Sequence, residues 1–370
     1  MNLLFLSLLP LAAAQSLSDL YVETAPSSPR PYILPHYANS HAVTIGNQLY
    51  RFAVTGPSSD NAFTLMSTNA PASGSLGVLP HIHQAHYENF FNFKGRFQLW
   101  AQHGDGEQQA RLLTQGDYGS VPRNTTHTFQ ILDPDTEMIG VISPGGFEDL
   151  FYYLGTNHSS KTNTPYVPQS TNEESSSTGP DSSIISSLQR FDVHAQLDFQ
   201  PRRDLANGSA PATEDWHSID TTTSTPLGAA GEPYFIANNY GPKYLNSRHG
   251  AYQIVQPLVT NTQSQDRNFT LSTIILSRQN GTAAEVPTWS GAGASAFEVL
   301  DGSILVKIGP YPVARLETGD VAFIPKGVKY QYWTQRSYAK VLYVSSGTEG
   351  VDSRLIAGGR DWGYPTFPTN

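Results

Sequence analysis

An internal repeat limits the fold of this chain more than any other sequence feature. Residues 80–95 align with 287–302 at an offset of 207 residues (287 − 80), and residues 116–127 align with 319–330 at an offset of 203 (319 − 116). The offset changes because the intervening hairpin is four residues shorter in the second copy (207 − 203). Glycines and prolines recur at the positions where turns and strand ends require them. We therefore expect two copies of one structural unit.

The composition favours a β-rich unit. The 370 residues suffice for one large or two ordinary domains, and 31 Gly and 26 Pro interrupt the chain often. Short apolar and aromatic runs between turn residues predict strands, and no long run has helical periodicity. In the first half we expect strands at residues 48–52, 63–67, 90–93, 97–101, 109–113, 127–132 and 138–142.

Changes in composition divide the chain further. An apolar start followed by small residues is typical of a secretory signal peptide, here residues 1–15. Residues 16–158 form the predicted N-terminal domain, residues 159–220 the linker, and residues 221–370 a C-terminal domain without metal ligands. The linker is rich in Ser, Thr, Pro and Asn. Because an extracellular protein meets proteases, we expect this linker to be ordered and to lie across both domains.

Several features indicate a secreted, extracellular glycoprotein. There is no Cys, so a large core must replace disulfides, and any metal must be bound by His and carboxylate. The net charge of −9 without a basic cluster argues against nucleic acid as a partner. No segment is long and apolar enough for a membrane span. Five sequons supply predicted glycosylation sites at Asn124, Asn157, Asn207, Asn268 and Asn280.

A histidine motif in the first copy predicts a metal site. His81 and His83, two residues apart, point out of one face of a strand; Glu88 follows a bend, and His127 comes from a neighbouring strand. Three imidazole nitrogens and one carboxylate oxygen suit a divalent transition metal with an open position. His86 has the opposite strand parity and is predicted not to be a ligand. In the second copy all four ligands are replaced, by Thr288, Ser290, Ser295 and Tyr330. Joint loss is expected of residues that act as one site.

The two motifs, Pro-His-x-His-x4-Glu-x6-Gly and Gly-Asp-x4-Pro-x4-His, are similar to the signatures of the cupin superfamily. Cupins are small jelly-roll β-barrels, and two in one chain form a bicupin. Further stretches resemble the fungal secreted quercetin 2,3-dioxygenases, at residues 54–59, 86–90, 97–102, 116–124, 133–138, 145–153, 233–238 and 241–246. The resemblance covers nearly the whole mature chain. It implies an all-β bicupin of two jelly-roll barrels joined by a long linker.

The resemblance also implies an activity. The family opens the heterocyclic ring of flavonols such as quercetin with O2, a copper-dependent dioxygenation that releases carbon monoxide and a depside. One Cu(2+) per chain would be bound in the N-terminal cupin by the matching His81, His83, His127 and Glu88. Flavonol and O2 are the implied small-molecule partners, and a homodimer is one assembly that the sequence leaves open. The family's flavonol pocket matches Tyr50, Met66, Thr68, Phe90, Phe129, Met138 and Phe147.

Glu88 is also the predicted general base for the flavonol 3-hydroxyl, because no other carboxylate falls inside the motif. A dry apolar pocket is expected to raise the pKa of Glu88. Two alternatives stay open. A manganese oxalate-degrading bicupin shares the ligand set, although a small dianion calls for an Arg in the cavity. A binding or storage bicupin without turnover is the other, and the complete ligand set in the first copy argues against it.

Overall fold

A computed structural model of the chain describes residues 15–38, 41–158, 165–166, 182–203, 227–281 and 285–369. The N-terminal half contains strands β1 (Tyr32–Leu34), β2 (Val43–Ile45), β3 (Gln48–Val54), β4 (Thr64–Ala70), β5 (His81–Ile82), β6 (Tyr87–Lys94), β7 (Phe97–His103), β8 (Gln109–Leu113), β9 (Tyr118–Val121), β10 (Thr125–Ile131), β11 (Thr136–Ser143) and β12 (Thr156–Asn157). The seven strands predicted for this half are all present, as β3, β4, β6, β7, β8, β10 and β11.

The rest of the chain contains strands β13 (His194–Ala195), β14 (Tyr234–Ile236), β15 (Tyr244–Asn246), β16 (Gln253–Val259), β17 (Phe269–Ser277), β18 (Ser295–Asp301), β19 (Ser303–Ile308), β20 (Ala314–Glu317), β21 (Val321–Ile324), β22 (Tyr330–Trp333), β23 (Tyr338–Ser346) and β24 (Arg360–Asp361). The helices are short: α1 (Leu17–Leu20), α2 (Gly56–Ser59), α3 (Glu148–Leu154), α4 (Ser182–Leu188), α5 (Asn261–Ser264) and α6 (Val351–Ala357), with 3-10 turns at Gln189–Phe191 and Gln265–Arg267. Among the described residues, none of the helices combines the length and apolar character that crossing a bilayer requires.

The strands form two barrels, each built from a large and a small sheet. In the N-terminal barrel an eight-stranded sheet, ordered β12-β2-β3-β4-β11-β6-β9-β14, lies with a five-stranded sheet, ordered β13-β5-β10-β7-β8. In the C-terminal barrel the orders are β1-β21-β18-β23-β17-β16-β15-β24 and β20-β19-β22. The pairing between named strands is antiparallel throughout, as expected for jelly-roll barrels.

The two barrels exchange edge strands. β1 comes from the start of the chain but pairs with β21, with Tyr32 opposite Phe323, and β14 pairs with β9, with Tyr234 opposite Ser120. Each exchanged tyrosine bonds back to its own half, because Tyr32 donates to the Ala53 carbonyl at 2.8 Å and Tyr234 to the Leu258 carbonyl at 2.6 Å.

The predicted domain ranges 16–158 and 221–370 therefore differ from the observed sheets at two strands. β1 lies within 16–158 but joins the C-terminal sheet, and β14 lies within 221–370 but joins the N-terminal sheet. The physical reason is that each exchanged strand covers a sheet edge that would otherwise expose unpaired backbone groups.

Apolar side chains fill the space between the barrels and the interior of each. The inter-barrel core joins residues of both halves, among them Phe63, Tyr118, Phe269 and Phe323. The interior of the C-terminal barrel is one continuous cluster. The interior of the N-terminal barrel is divided into two clusters, and the cavity described below lies between them because members of both line it.

Candidate metal centre and cavity

Four side chains of the N-terminal barrel converge on one point. His81, His83, Glu88 and His127 each offer one ligand atom, and these atoms all lie within 4.8 Å of one another. His81 on β5 is paired in register with His127 on β10, in the five-stranded sheet, whereas Glu88 lies on β6 of the opposite sheet. His83 directly follows β5. The cluster therefore bridges the two sheets of the barrel, and it brings together the four residues predicted from the motif.

Hydrogen bonds orient all three imidazoles in the same way. Nδ1 of His81 lies 2.7 Å from the Leu79 carbonyl, Nδ1 of His83 lies 2.7 Å from the Asp192 carbonyl, and Nδ1 of His127 lies 3.1 Å from the Thr125 carbonyl. Because a carbonyl oxygen can only accept, each Nδ1 carries a proton and donates it. The Nε2 lone pair of each neutral ring is thereby directed into the cluster, an arrangement typical of metal-binding histidines.

The acceptor atoms of the cluster lie close together. Glu88 Oε2 lies 2.9 Å from His127 Nε2 and 3.3 Å from His83 Nε2. His83 Nε2 is buried and has no hydrogen-bond partner among the described residues. Acceptor atoms brought this close together, away from water, repel one another unless a positive charge lies among them. The donor set therefore fits a divalent transition metal, and Glu88, His81, His83 and His127 would be its ligands.

Burial and the neighbouring ligand side chains both shift the pKa values of these groups. Burial lowers the pKa of His81 well below its ordinary value, as do the neighbouring His127 and His83, which favours the neutral form that binds metal. Burial raises the pKa of Glu88, but the close contacts of its carboxylate with the imidazoles of His127 and His83 outweigh burial, so the pKa lies below its ordinary value. The expectation of a raised pKa for Glu88 was wrong, because it considered burial without these two neighbours.

A cavity of about 430 Å³ opens on His81, Glu88 and His127. The predicted pocket residues all line it, namely Tyr50, Met66, Thr68, Phe90, Phe129, Met138 and Phe147. The ring of Phe147 stands edge-on to His83 with 4.9 Å between centroids, and Phe90 lies 5.9 Å from His127. Among the described residues, no Arg or Lys lines this cavity. It is therefore an aromatic chamber with the metal ligands at one end.

Part of the wall was not predicted. Leu150, Phe151 and Leu154 of α3 line the cavity, and so do three residues from within the predicted linker, Ile184, Leu188 and Val193. The apolar spacing of Ile184, Leu188 and Phe191 on a Ser-rich background was the available signal for a helix there. Within the predicted linker the structure describes residues 165–166 and 182–203, and the second stretch crosses the N-terminal barrel, where β13 pairs with β5.

Comparison with known proteins gives the family. No protein-family model matches the chain. A quercetin 2,3-dioxygenase of Aspergillus japonicus is 60% identical over 353 residues, which are 95% of this chain and 99% of that protein. The chain belongs to the quercetin 2,3-dioxygenase family. A quercetin 2,3-dioxygenase of Bacillus subtilis (strain 168) is 32% identical over 130 residues, which are 35% of this chain and 36% of that protein.

The fold of this quercetin 2,3-dioxygenase family member is similar to that of several solved structures. The oxalate decarboxylase of Lactobacillus farciminis, in its formate complex, gives a TM-score of 0.52 at 12% identity, covering 88% of this chain and 89% of that one. A variant of the Bacillus subtilis oxalate decarboxylase gives 0.52 at 12% identity, covering 88% and 79%. At this identity the likeness shows the shared bicupin fold alone.

Backbone pairing locates the positions in the C-terminal barrel that correspond to the four proposed metal ligands. None of these positions holds a His or a carboxylate. Trp289 pairs with Tyr330 as His81 pairs with His127, and Gly327 donates to the Gly291 carbonyl as Asn124 donates to that of His83. The counterparts of His81 and His83 are therefore Trp289 and Gly291, one residue beyond the predicted Thr288 and Ser290. The predicted counterparts of Glu88 and His127 were correct: Ser295 faces Ile324 as Glu88 faces Val121.

The one-residue error has a local cause, because the turn between the second and third ligand positions is shorter in the C-terminal copy. Glu88 lies five positions after His83 (88 − 83), whereas Ser295 lies only four positions after Gly291 (295 − 291). The glycines used for the alignment do share their conformation, since Gly95 and Gly302 have φ of 69° and 74°. In the second barrel, the rings of Phe297 and Tyr330 lie 5.9 Å apart inside the continuous core.

The remaining predicted residues lie outside the metal cluster. Nδ1 of His86 is 2.8 Å from Asp192 Oδ2, and His86 lies in a bend ahead of β6, so strand parity does not apply to it. Its exclusion as a ligand stays a prediction. Residues 1–14 of the predicted signal peptide and the sequon at Asn207 lie outside the described residues. The four described sequon side chains are exposed: Asn124, Asn157, Asn268 and Asn280.

Proposed function

We propose that the chain is a copper(II)-dependent flavonol 2,3-dioxygenase that opens the heterocyclic ring of quercetin-like flavonols with O2 and releases carbon monoxide and a depside. One observation carries the proposal. Three imidazole Nε2 atoms and a carboxylate oxygen converge at the end of an aromatic cavity, in a chain 60% identical to a quercetin 2,3-dioxygenase over nearly its whole length.

Copper(II) is supported by the donor set, which has neutral nitrogens, one carboxylate oxygen and no thiolate. When bound by His81, His83, His127 and Glu88, copper(II) would lower the pKa of a flavonol 3-hydroxyl and accept electron density from its conjugate base.

The cavity residues have a binding role in this proposal. A flavonol is flat and largely apolar, and Phe90, Phe129 and Phe147 offer ring faces and edges on which it can pack. The chamber is lined mainly by apolar side chains, so it would exclude water from the site of oxygenation. Met66 and Met138 adapt to the irregular outline of the substrate because thioether side chains are flexible.

Glu88 has two roles in the proposal, as ligand and as general base. Its lowered pKa means that the carboxylate is ionised at neutral pH and is ready to accept a proton. A carboxylate is a weak base, so transfer from the 3-hydroxyl becomes favourable only where that hydroxyl has itself been acidified. Oε2 is the oxygen that lies among the ligand nitrogens, 2.9 Å from His127 Nε2 and 3.3 Å from His83 Nε2, so the proton would be taken at Oε1 of Glu88.

The test is an aerobic assay of the purified protein with quercetin, following the loss of flavonol absorbance, O2 uptake and carbon monoxide. Metal analysis accompanies it, and the metal-free protein, prepared with a chelator, is reloaded with copper(II) or manganese(II) in parallel. We expect about one copper per chain, loss of turnover on chelation and recovery with copper. Turnover that survives complete metal removal would overturn the proposal.

Glu88→Gln tests the role of the base separately. Gln retains the shape and an oxygen ligand but cannot accept the proton, so kcat should fall by about 10²–10⁴-fold while copper is retained. A Glu88→Gln protein that keeps its copper and turns over quercetin at the normal rate would contradict this role. Glu107→Gln makes the same change at an exposed position between β7 and β8, so it is the matched control and should keep kcat.

The alternatives receive less support from the cavity. An oxalate-degrading enzyme needs a cationic side chain for a small dianion, and none lines the cavity among residues of the described part of the chain. A storage protein has no need of a ligand cluster opening on an aromatic chamber.

We also propose that the chain is a secreted glycoprotein, supported by its predicted signal peptide and exposed sequons. Glycosidase treatment of secreted material tests this proposal. Light scattering of the same preparation distinguishes a monomer from a homodimer.

A further inference from the structure

Asp192 makes an unusual set of contacts with the metal-binding motif. It lies 109 residues beyond His83 in sequence (192 − 83), in the segment that follows α4, and ends the 3-10 turn Gln189–Phe191 with φ of 63°. Asp is one of the few residue types that adopt this left-handed conformation readily. The conformation directs both the carbonyl and the carboxylate of Asp192 toward the bend between β5 and β6, and the two groups make different contacts there.

The carbonyl group of Asp192 fixes one metal ligand. It accepts the Nδ1 proton of His83 at 2.7 Å. His81 and His127 donate instead to carbonyls two residues earlier in their own sequence, Leu79 and Thr125. Of the three imidazoles, His83 alone depends on a distant segment for its tautomer and its ring orientation. If the Asp192 carbonyl moved, His83 would lose the hydrogen bond that fixes its tautomer and directs Nε2 into the ligand cluster.

The carboxylate of Asp192 holds the bend that joins two ligands. Oδ1 accepts the backbone N–H of Gln84 at 2.8 Å, and Oδ2 accepts those of Ala85 at 2.8 Å and His86 at 2.9 Å. Oδ2 also lies 2.8 Å from Nδ1 of His86, and Oδ1 lies 3.6 Å from Nε2 of His194. Three successive N–H groups around one anion form a nest, which is a rigid backbone arrangement. This bend sets the position of His83 relative to Glu88.

The same segment forms part of the cavity wall. Leu188 and Val193, on either side of Asp192 in sequence, line the chamber that opens on the ligands. A rigid link through Asp192 therefore ties the wall of the cavity to the geometry of the ligand cluster. Positioning contacts of this kind around a metal ligand typically change metal affinity or activity by about 10–100-fold when they are lost.

We propose that Asp192 is a positioning residue of the metal centre, which locks His83 in its metal-binding tautomer and holds the His83–Glu88 bend. The inference rests on the proposed function, because it concerns the same ligand cluster. Asp192 itself contributes no ligand atom to the four-residue cluster. It acts through His83 and the bend, so its loss should change metal affinity and ligand geometry as well as turnover.

Asp192→Asn is the discriminating variant. Asn keeps the size of Asp and tolerates the left-handed backbone. Its amide has only one oxygen, and in place of the other carboxylate oxygen it presents an NH2 donor to the backbone N–H groups of the bend. Asp198→Asn is the matched control, because it removes the same charge from an exposed position on the same segment. His86→Ala removes a single contact of the carboxylate and keeps the backbone nest, so it remains informative if Asp192→Asn fails to fold.

The affinity of each full-length, metal-free variant for copper(II) is measured by competition with a chelator, together with the electron paramagnetic resonance spectrum and the melting temperature without metal. We expect Asp192→Asn to bind copper(II) about 10–100-fold more weakly, with altered hyperfine coupling. His86→Ala should lose about threefold, and Asp198→Asn should match the wild type.

The outcomes separate the two proposals. If Asp192→Asn and His86→Ala bind copper(II) with the affinity and spectrum of the wild type, the positioning role is overturned and the proposed function stands. Equal losses in Asp192→Asn and Asp198→Asn would also overturn it, since a general charge effect would then be responsible. If the wild type binds no copper(II), the proposed function fails, and this inference fails with it.

Discussion

Replacing Gly77 by Ala should push the Phe129 ring into the cavity. A Cβ at Gly77 would lie 2.2 Å from one ring carbon of Phe129 and 2.7 and 2.9 Å from two others. Ordinary contact begins at 3.4 Å, so the ring must retreat by about 1.2 Å (3.4 − 2.2). Phe90 and Phe97 pack on other sides of the ring, with centroids 6.2 and 6.4 Å away. The open direction is therefore the chamber itself.

The size of the effect follows from the cost of overpacking. Forcing extra atoms into a packed site costs about 1–3 kcal/mol, and here the cost divides between folding and flavonol binding. If about 1.4 kcal/mol falls on binding, KM for quercetin rises about tenfold. The rate constant kcat should change less, because the three atoms nearest to the Ala methyl group all belong to the Phe129 ring.

Steady-state kinetics with quercetin measure this effect in a cycle of variants. Phe129→Ala removes the ring atoms that clash, so Gly77→Ala should raise KM in the wild type and have little effect in the Phe129→Ala background. The expected coupling between the two sites is about 0.5–3 kcal/mol. Gly74→Ala, in the same loop with open space around its Cβ, is the control and should leave KM unchanged. An equal rise in KM from Gly77→Ala in both backgrounds would refute the reasoning.

Two further predictions concern stability. Tyr32→Phe removes the hydroxyl that donates to the Ala53 carbonyl across the barrel interface, and should lower the free energy of unfolding in urea by about 1 kcal/mol with an unchanged m-value. Burial lowers the pKa of Lys340 to about 8 from 10.5, so between these pH values the unfolded chain binds more protons and stability should rise with pH. Lys340→Met should flatten that rise in melting temperature; an unchanged slope would contradict the assignment to this lysine.

Sequence reasoning succeeded where the determinants are local. The spacing of His81, His83 and Glu88, with His127 after a turn signal, identified the cluster because each residue lies on or next to a strand whose pattern is visible in the sequence. It failed for Asp192, since its contacts with His83 and the following bend join segments more than a hundred residues apart in sequence. The pairing of β1 with β21 was equally invisible, because edge pairing depends on which barrel leaves a free edge.

The strand exchange explains how a barrel without metal ligands supports the one that has them. β14 pairs with β9, and β9 pairs with β6, the strand that carries Glu88. The C-terminal half therefore completes the sheet on which a metal ligand lies, and its β17 and β23 supply residues to the inter-barrel core. Without these contacts the outer face of the N-terminal sheet would expose large apolar side chains such as Phe63 and Phe91 to water.

A chain truncated after residue 226 tests this dependence, because it keeps all four ligands and Asp192 but loses β14 and the C-terminal share of the inter-barrel core. We expect it to aggregate, to show no cooperative thermal transition and to bind no stoichiometric copper, and we expect the full chain to unfold in one transition. A soluble truncated chain with a sharp transition and one tightly bound copper would mean that the N-terminal barrel is self-sufficient. The exchanged strands would then join the barrels without stabilising the sheet that carries Glu88.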